Sequence, residues 1–144
     1  MKSYKIYLAS SLSLDKRDKM FEAIEYLRSI GHDVYAPVEH KIANAWDYPN
    51  DEWGLMVFED DIKAIKESEI VVMLSYGRDS TAGANWESGY AFGLGKKIIL
   101  VEMTDGVMSL MVANGRYATV KGLDGLKSYD WDKMPPTRTT TEQK

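Results

Sequence analysis

Ile70-Val-Val-Met-Leu74, Asp79-Ser-Thr-Ala-Gly-Ala-Asn-Trp-Glu-Ser-Gly-Tyr-Ala91 and Ile98-Ile-Leu-Val101 are the three consecutive segments that decide the fold. The first and third are short apolar runs, which predict buried strands. Small residues open the middle segment, and the helix predicted after them ends at Gly95. The segments therefore predict one strand–helix–strand unit. Its loop lies at the carboxyl end of a strand, where open parallel sheets bind ligands, and Glu87 lies close to that loop.

The N-terminal part of the chain predicts a second unit of the same kind. Residues 5–10 form a strand, and residues 15–30 carry apolar side chains at helical spacing. Gly31 is expected to end this helix, and residues 33–37 form the next strand. A crossover of this length joins parallel strands.

The remaining pattern completes the predicted architecture. A helix starts near Asp51 and ends near Ser68, a short helix covers 105–113, and a fifth strand covers 117–120. These elements predict an α/β fold, a flavodoxin-like three-layer sandwich with a five-stranded parallel sheet. Residues 1–133 are expected to form a single domain. Residues 134–144 have little apolar surface to bury and are expected to be a disordered tail.

Composition excludes several classes of partner. A net charge of −4 provides no basic surface, so a nucleic-acid polymer is not an expected partner. The absence of cysteine excludes disulfides, thiolate zinc sites and cysteine nucleophiles. No apolar run approaches the roughly 20 residues that span a bilayer, and the N-terminus has no signal-peptide pattern. We therefore expect no membrane partner and a cytoplasmic location.

Neither a cofactor nor a metal is expected. No Gly-x-Gly-x-x-Gly follows the first strand, which argues against a dinucleotide. His32 and His40 lie in different kinds of segment, without a carboxylate at metal-ligand spacing. The chain also lacks the Gly-x-Ser-x-Gly turn of many serine hydrolases.

Polar side chains are expected to meet at the carboxyl edge of the sheet. Tyr7 lies in the first strand, Thr81 and Glu87 follow the third, and an acidic run at 59–61 lies in the preceding helix. Two carboxylates facing one cleft suit cleavage of a glycosidic bond, with one attacking the sugar and the other protonating the leaving group. The acidic run is also typical of a solvated helix face, and Glu87 suits a helix start. The pattern alone leaves the function open.

Three motifs along most of the chain carry a family resemblance. They are Tyr7-Leu-Ala-Ser-Ser before a helix, Asp61 eight residues before the acidic start of a strand, and Thr81 six residues before Glu87-Ser-Gly-Tyr-Ala. Over about residues 4–120 the chain resembles the nucleoside 2-deoxyribosyltransferase family. The resemblance implies an enzyme that cleaves the N-glycosidic bond of a 2′-deoxyribonucleoside and transfers the sugar to another nucleobase.

The resemblance also implies roles for three residues. Glu87 would attack C1′ of the deoxyribose and hold the sugar covalently, because a carboxylate can leave again from an acetal carbon. Tyr7 would hydrogen-bond Glu87 and keep it oriented and ionised. Asp61 would donate a proton to the departing base, which requires partial desolvation and a raised pKa.

Further residues are expected to bind the substrate. Ser11, Thr81 and Gly83 are among them, and Thr81 would lie near the sugar. Trp46 and Trp53 would form a wall for the base by stacking, although they equally suit plain packing.

The segment that contains Met111 resembles a loop that reaches into a neighbouring subunit's site, with Ser109 at the contacting position. A monomer would then have an incomplete site. We therefore expect a homo-oligomer, at least a dimer, with shared sites.

Hydroxyl side chains leave the branch of the family open. Thr81 and Ser109 stand where transferases carry Asp and Asn, and with Ser11 they favour the deoxynucleoside 5′-monophosphate N-glycosidase branch, in which water accepts the sugar. Ser13 stands where that branch carries Arg, which removes the strongest phosphate partner. The sequence leaves three choices open. They are whether the enzyme is a transferase or a hydrolase, whether its substrate is a nucleoside or a 5′-monophosphate, and whether it prefers purines or pyrimidines.

Two readings outside these branches also remain. One is a non-catalytic nucleotide-binding module on the same fold. The other is a cytokinin-type phosphoribohydrolase, but that family expects Gly-Gly-x-Gly-Thr before its Glu, and this chain has Ser80-Thr-Ala-Gly-Ala.

Overall fold

One parallel sheet forms the centre of the computed structural model, which describes residues 2–144. Its strands are β1 (Lys5–Ala9), β2 (Asp33–Tyr35), β3 (Ile70–Ser75), β4 (Lys97–Glu102) and β5 (Ala118–Lys121), in the order β2-β1-β3-β4-β5. Every neighbouring pair is parallel. This is the flavodoxin-like order, and it confirms the predicted fold class.

Within residues 2–144, five α-helices connect and follow the strands. They are α1 (Arg17–Ser29), α2 (Asn50–Glu67), α3 (Ala82–Gly93), α4 (Leu110–Asn114) and α5 (Gly122–Ser128). The first two agree with the predicted elements to within about two residues. The helix predicted over 105–113 is shorter in the structure, because 105–109 form a loop that is anchored by buried Met108.

Side chains that alternate along the strands build two apolar cores, one on each face of the sheet. In β3, Ile70, Val72 and Leu74 pack on the face covered by α1 and α5. Val71 and Met73 pack on the opposite face, against α2, α3 and α4. Both faces are therefore covered, as all-parallel sheets require. Among residues 2–144, no helix has both the length and the apolar character to cross a membrane.

Gly77 allows two loops to meet at the carboxyl edge of the sheet. It follows β3 with a φ of +62°, a conformation that glycine adopts without steric cost. A Cβ atom at this position would lie 2.9 Å from the carbonyl oxygen of Val107. The loop that leads to Thr81 and the loop that leads to α4 thus pack backbone to backbone.

Residues 134–144 lie along the sheet edge, contrary to the expectation of a disordered tail. The hydroxyls of Thr139 and Thr141 donate to the carboxylate of Glu102, which is buried at the end of β4. Lys121 lies 3.0 Å from the same carboxylate. The expectation considered only apolar burial, and it missed that a buried carboxylate needs donors.

Replacing Thr139 and Thr141 together by valine should lower the free energy of unfolding by about 2–4 kcal/mol. Each change removes a hydrogen bond to a charged group, and Lys121 is left as the described partner of Glu102. Urea unfolding measures the difference. Thr140→Val, at an exposed position between them, is the matched control. Equal stability of the double variant and the control would contradict this account.

Candidate active site

A cavity of about 550 Å³ opens at the carboxyl edge of the sheet, between the ends of β1 and β2 and helices α2 and α3. Its wall is mostly apolar and contains only a few polar side chains. Its lining residues include Ser10, Phe58, Asp61, Thr81, Trp86 and Glu87. Such a cavity can hold a small molecule with an apolar ring and a few polar atoms.

Glu87 is held at the wall of this cavity by a residue of the central sheet. The Tyr7 hydroxyl donates a hydrogen bond to the Glu87 carboxylate. The Tyr7 side chain is buried in β1. Because the packing around it restricts its movement, its hydroxyl holds the carboxylate in one place. The pKa of Glu87 is raised to about 7, mainly by burial, which the Tyr7 hydrogen bond opposes and the charge of nearby Asp61 assists.

Asp61 projects from α2 into the same cavity and is also partly desolvated. Its pKa is raised to about 6, mainly by burial and also by the charge of Asp60, while Tyr35 and His40 lower it. Each carboxylate raises the cost of ionising the other, so the two can share one proton near neutral pH. A reaction that uses one carboxyl group as a proton donor and the other as a nucleophile needs this state with a single proton.

Thr81 and Gly83 line the cavity, and Thr81 also begins α3. Its hydroxyl oxygen accepts from the backbone N–H of Ala84 at 3.3 Å, a helix N-cap that leaves the hydroxyl hydrogen free to donate. Ser11 instead shares a 3.1 Å hydrogen bond with Ser13 inside the turn after β1, and Ser10 lines the cavity. The turn therefore presents a different serine from the one that was predicted.

Trp46 and Trp53 are not among the residues that line the cavity. Trp46 is 99% exposed, and Trp53 is exposed at the start of α2. Phe58 and Trp86 form the aromatic wall in their place, with ring centroids 5.5 Å apart. The helical spacing of α2 gives a signal for Phe58, because it lies three residues before Asp61. Trp86 directly precedes Glu87 in the motif itself.

Ser109 and Met111 lie at the start of α4, away from this cavity. Both are exposed, and Met111 lines a separate apolar cavity of about 490 Å³ on the outer side of α3. Within one chain, these two residues are not brought to Glu87. Their predicted contribution to a neighbouring site stays a prediction.

The family model of nucleoside 2-deoxyribosyltransferases matches residues 6–123, most of the chain. The chain belongs to this family. The solved 2-deoxyribosyltransferase of the psychrotolerant bacterium Bacillus psychrosaccharolyticus is 28% identical and has a TM-score of 0.85, over 94% of this chain and 98% of that chain.

Two more distant structures share the fold of this family member. A 2-desoxiribosyltransferase of Leishmania mexicana is 15% identical with a TM-score of 0.53, over 96% of this chain and 88% of that one. A conserved protein of Enterococcus faecalis is 19% identical with a TM-score of 0.63, over 96% and 91%. No curated protein sequence matches the chain.

If one carboxyl of this pair must be ionised and the other protonated, kcat/KM should follow a bell-shaped pH profile. The raised pKa values of Asp61 and Glu87 place its maximum between about pH 6 and pH 7. Below that window both groups are protonated, and above it both are ionised. Initial rates of base release from deoxynucleosides, measured from pH 4.5 to 9, test this. A flat profile would contradict the shared proton.

Proposed function

We propose that this chain cleaves the N-glycosidic bond of 2′-deoxyribonucleosides through a deoxyribosyl-Glu87 intermediate and transfers the sugar to another nucleobase. The observation that carries the proposal is the pairing of Glu87, oriented by Tyr7, with Asp61 in one cavity. Membership of the family supports the same reaction class.

The first half of the proposed reaction uses both carboxyl groups. An ionised oxygen of Glu87 forms a bond to C1′ while the bond from C1′ to the base nitrogen breaks, and the electron pair leaves with the base. Asp61 gives its proton to the departing base, which is then a neutral molecule. In the second half an incoming base gives a proton to Asp61 and attacks C1′, and Glu87 leaves as a carboxylate.

The cavity wall favours a nucleobase as the acceptor of the sugar. Phe58 and Trp86 offer flat apolar surfaces, on which a heterocycle can stack. Water gains nothing from such a wall, whereas a base gains stacking and the Asp61 carboxyl as a polar partner. For this reason we favour a transferase over a hydrolase.

The charges at the cavity favour a nucleoside over its 5′-monophosphate. Among residues 2–144, neither lysine nor arginine lines the cavity, whereas Asp61 and Glu87 both do. A phosphate dianion would lack the cationic partner that phosphate sites usually provide, and two carboxyl groups would repel it. Thr81 and Ser10 offer hydroxyls, which suit a neutral sugar.

Deoxyinosine and deoxycytidine should therefore be cleaved with a kcat/KM at least about tenfold higher than that of their 5′-monophosphates. Adding free adenine should convert either nucleoside into deoxyadenosine, which chromatography resolves from free sugar. Free sugar or sugar phosphate as the main product, with adenine present, would instead identify a hydrolase.

Glu87→Gln should lower the rate of base release roughly 10³-fold or more while the fold is retained, because the amide is isosteric but cannot attack C1′. Glu59→Gln, at an exposed position of α2, is the matched control. Mass spectrometry of the quenched wild type should detect an added deoxyribosyl group that the variant lacks. Near-normal base release by Glu87→Gln would exclude Glu87 as the nucleophile.

Asp61→Asn should slow cleavage by about 10²- to 10⁴-fold for poor leaving bases, and less for good ones, because it removes a proton donor. A series of nucleosides whose bases differ in acidity provides the measurement. Equal slowing across the series would remove Asp61 from the role of donor.

The proposal includes an assembly of at least two chains. Ser109 and Met111 are exposed, and Met111 lines an apolar cavity, so both can meet a second copy. Size-exclusion chromatography with activity assays across the peak tests this, and an active monomer would overturn it.

A further inference from the structure

Lys16 joins two segments at the edge of the candidate site. It is the last residue of a short 3₁₀ turn before α1, and its side chain is half-buried. Its ammonium group donates a 2.8 Å hydrogen bond to the backbone carbonyl of Asp79, in the segment between β3 and α3. Lys16 itself is absent from the lining of the cavity. It therefore links the two segments from outside the space that a substrate would occupy.

Both of the linked segments line the cavity. The turn after β1 contributes Ser10 and Leu12, and the segment after β3 leads into Thr81 at the start of α3. The turn is itself held from α1, because Nε of Arg17 donates a 2.9 Å hydrogen bond to the Leu12 carbonyl. A change in the distance between the two segments would therefore change the width of the cavity on this side.

Tyr76 gives the Lys16 ammonium group a second neutral contact. Nζ lies 4.6 Å from the centroid of the Tyr76 ring, a cation–π arrangement. The Tyr76 backbone N–H donates a 2.7 Å hydrogen bond to the Ser80 hydroxyl, so the ring and the Asp79 carbonyl belong to one compact turn. Among residues 2–144, no carboxylate forms an ion pair with Lys16. Removing its charge would thus leave no carboxylate without a partner.

We propose that Lys16 is a positioning residue, which holds the start of α3 against the turn after β1 and so keeps Thr81 in place at the sugar. The inference rests on the proposed function and adds a residue from outside the three motifs. The Thr81 hydroxyl oxygen accepts from the Ala84 N–H, so its direction follows the path of the segment that Lys16 holds. Lys16 acts through Thr81 and touches no reacting atom.

Lys16→Met removes the ammonium group and keeps most of the side-chain length. We expect KM for deoxyinosine to rise about fivefold and kcat to change by less than about twofold, because the loss concerns binding of the sugar and neither carboxyl group. Lys16→Arg can still donate to the carbonyl and lie on the ring, so it should restore most of the wild-type KM. Lys19→Met, at an exposed position of α1, is the matched control. An unchanged KM, or an equal rise in the control, would overturn the proposal.

The decisive measurement is the same substitution in the Thr81→Val background. If Lys16 acts through the Thr81 hydroxyl, Lys16→Met should raise KM no further there, because the group that it positions is gone. Equal rises of KM in both backgrounds would show that Lys16 acts by another route, and the proposal would fail.

A second readout keeps this test separate from the reaction itself. Amide hydrogen exchange at Ala84 reports on its bond to Thr81, and it should be several-fold faster in Lys16→Met than in wild type and unchanged in Lys19→Met. If wild type releases no base but this difference appears, the proposed function fails and the positioning by Lys16 stands. If base is released and the exchange at Ala84 is unchanged, the role of Lys16 fails alone.

Discussion

The hydrogen bond from Tyr7 to Glu87 is the contact on which the candidate site depends. It joins the centre of the sheet to α3, and both partners are taken out of bulk water. A carboxylate in such a place has a free-energy cost that only a donor can offset. The order of the sheet provides that donor by placing β1 beside β3, so that Tyr7 pairs in register with Val71 and packs on the face that α3 covers. The fold therefore determines the position of Glu87 directly.

Desolvation gives the two carboxyl groups higher pKa values than ordinary surface carboxyl groups have. The apolar wall around them raises both pKa values, and their mutual repulsion favours the state with a single proton. Tyr7 favours the ionised form of Glu87. With pKa values of about 7 for Glu87 and about 6 for Asp61, however, the single proton lies mainly on Glu87, and the proposed reaction starts from the state in which it lies on Asp61. The same wall that shifts these equilibria also offers Phe58 and Trp86 to a flat ring. The raised pKa values and the capacity to stack a flat ring thus share one physical origin.

The sequence predicted the fold well because its signals are local and repeated. Apolar runs such as 70–74 and 98–101 leave little choice but buried strands, and chain order then determines the sheet. Residue spacing also placed Asp61, Thr81 and Glu87 at one edge, and the structure brings them to one cavity. What failed depends on side-chain direction: Trp46 lies in an irregular segment whose path no periodicity predicts. The ordered end of the chain depends on Glu102, a long-range polar contact that hydrophobic patterns do not detect.

Gly77 has a practical meaning for anyone who diversifies this scaffold. Its missing Cβ lets the loop before α3 lie against the carbonyl oxygen of Val107. The space between the two loops at this point is too small for a methyl group. Mutant libraries aimed at the sugar side of the pocket can vary its neighbours 78–80, but a side chain at 77 would push apart segments thirty positions away. Randomisation there would mix changes in the pocket with displacement of the loop before α4, and screening hits would be hard to interpret.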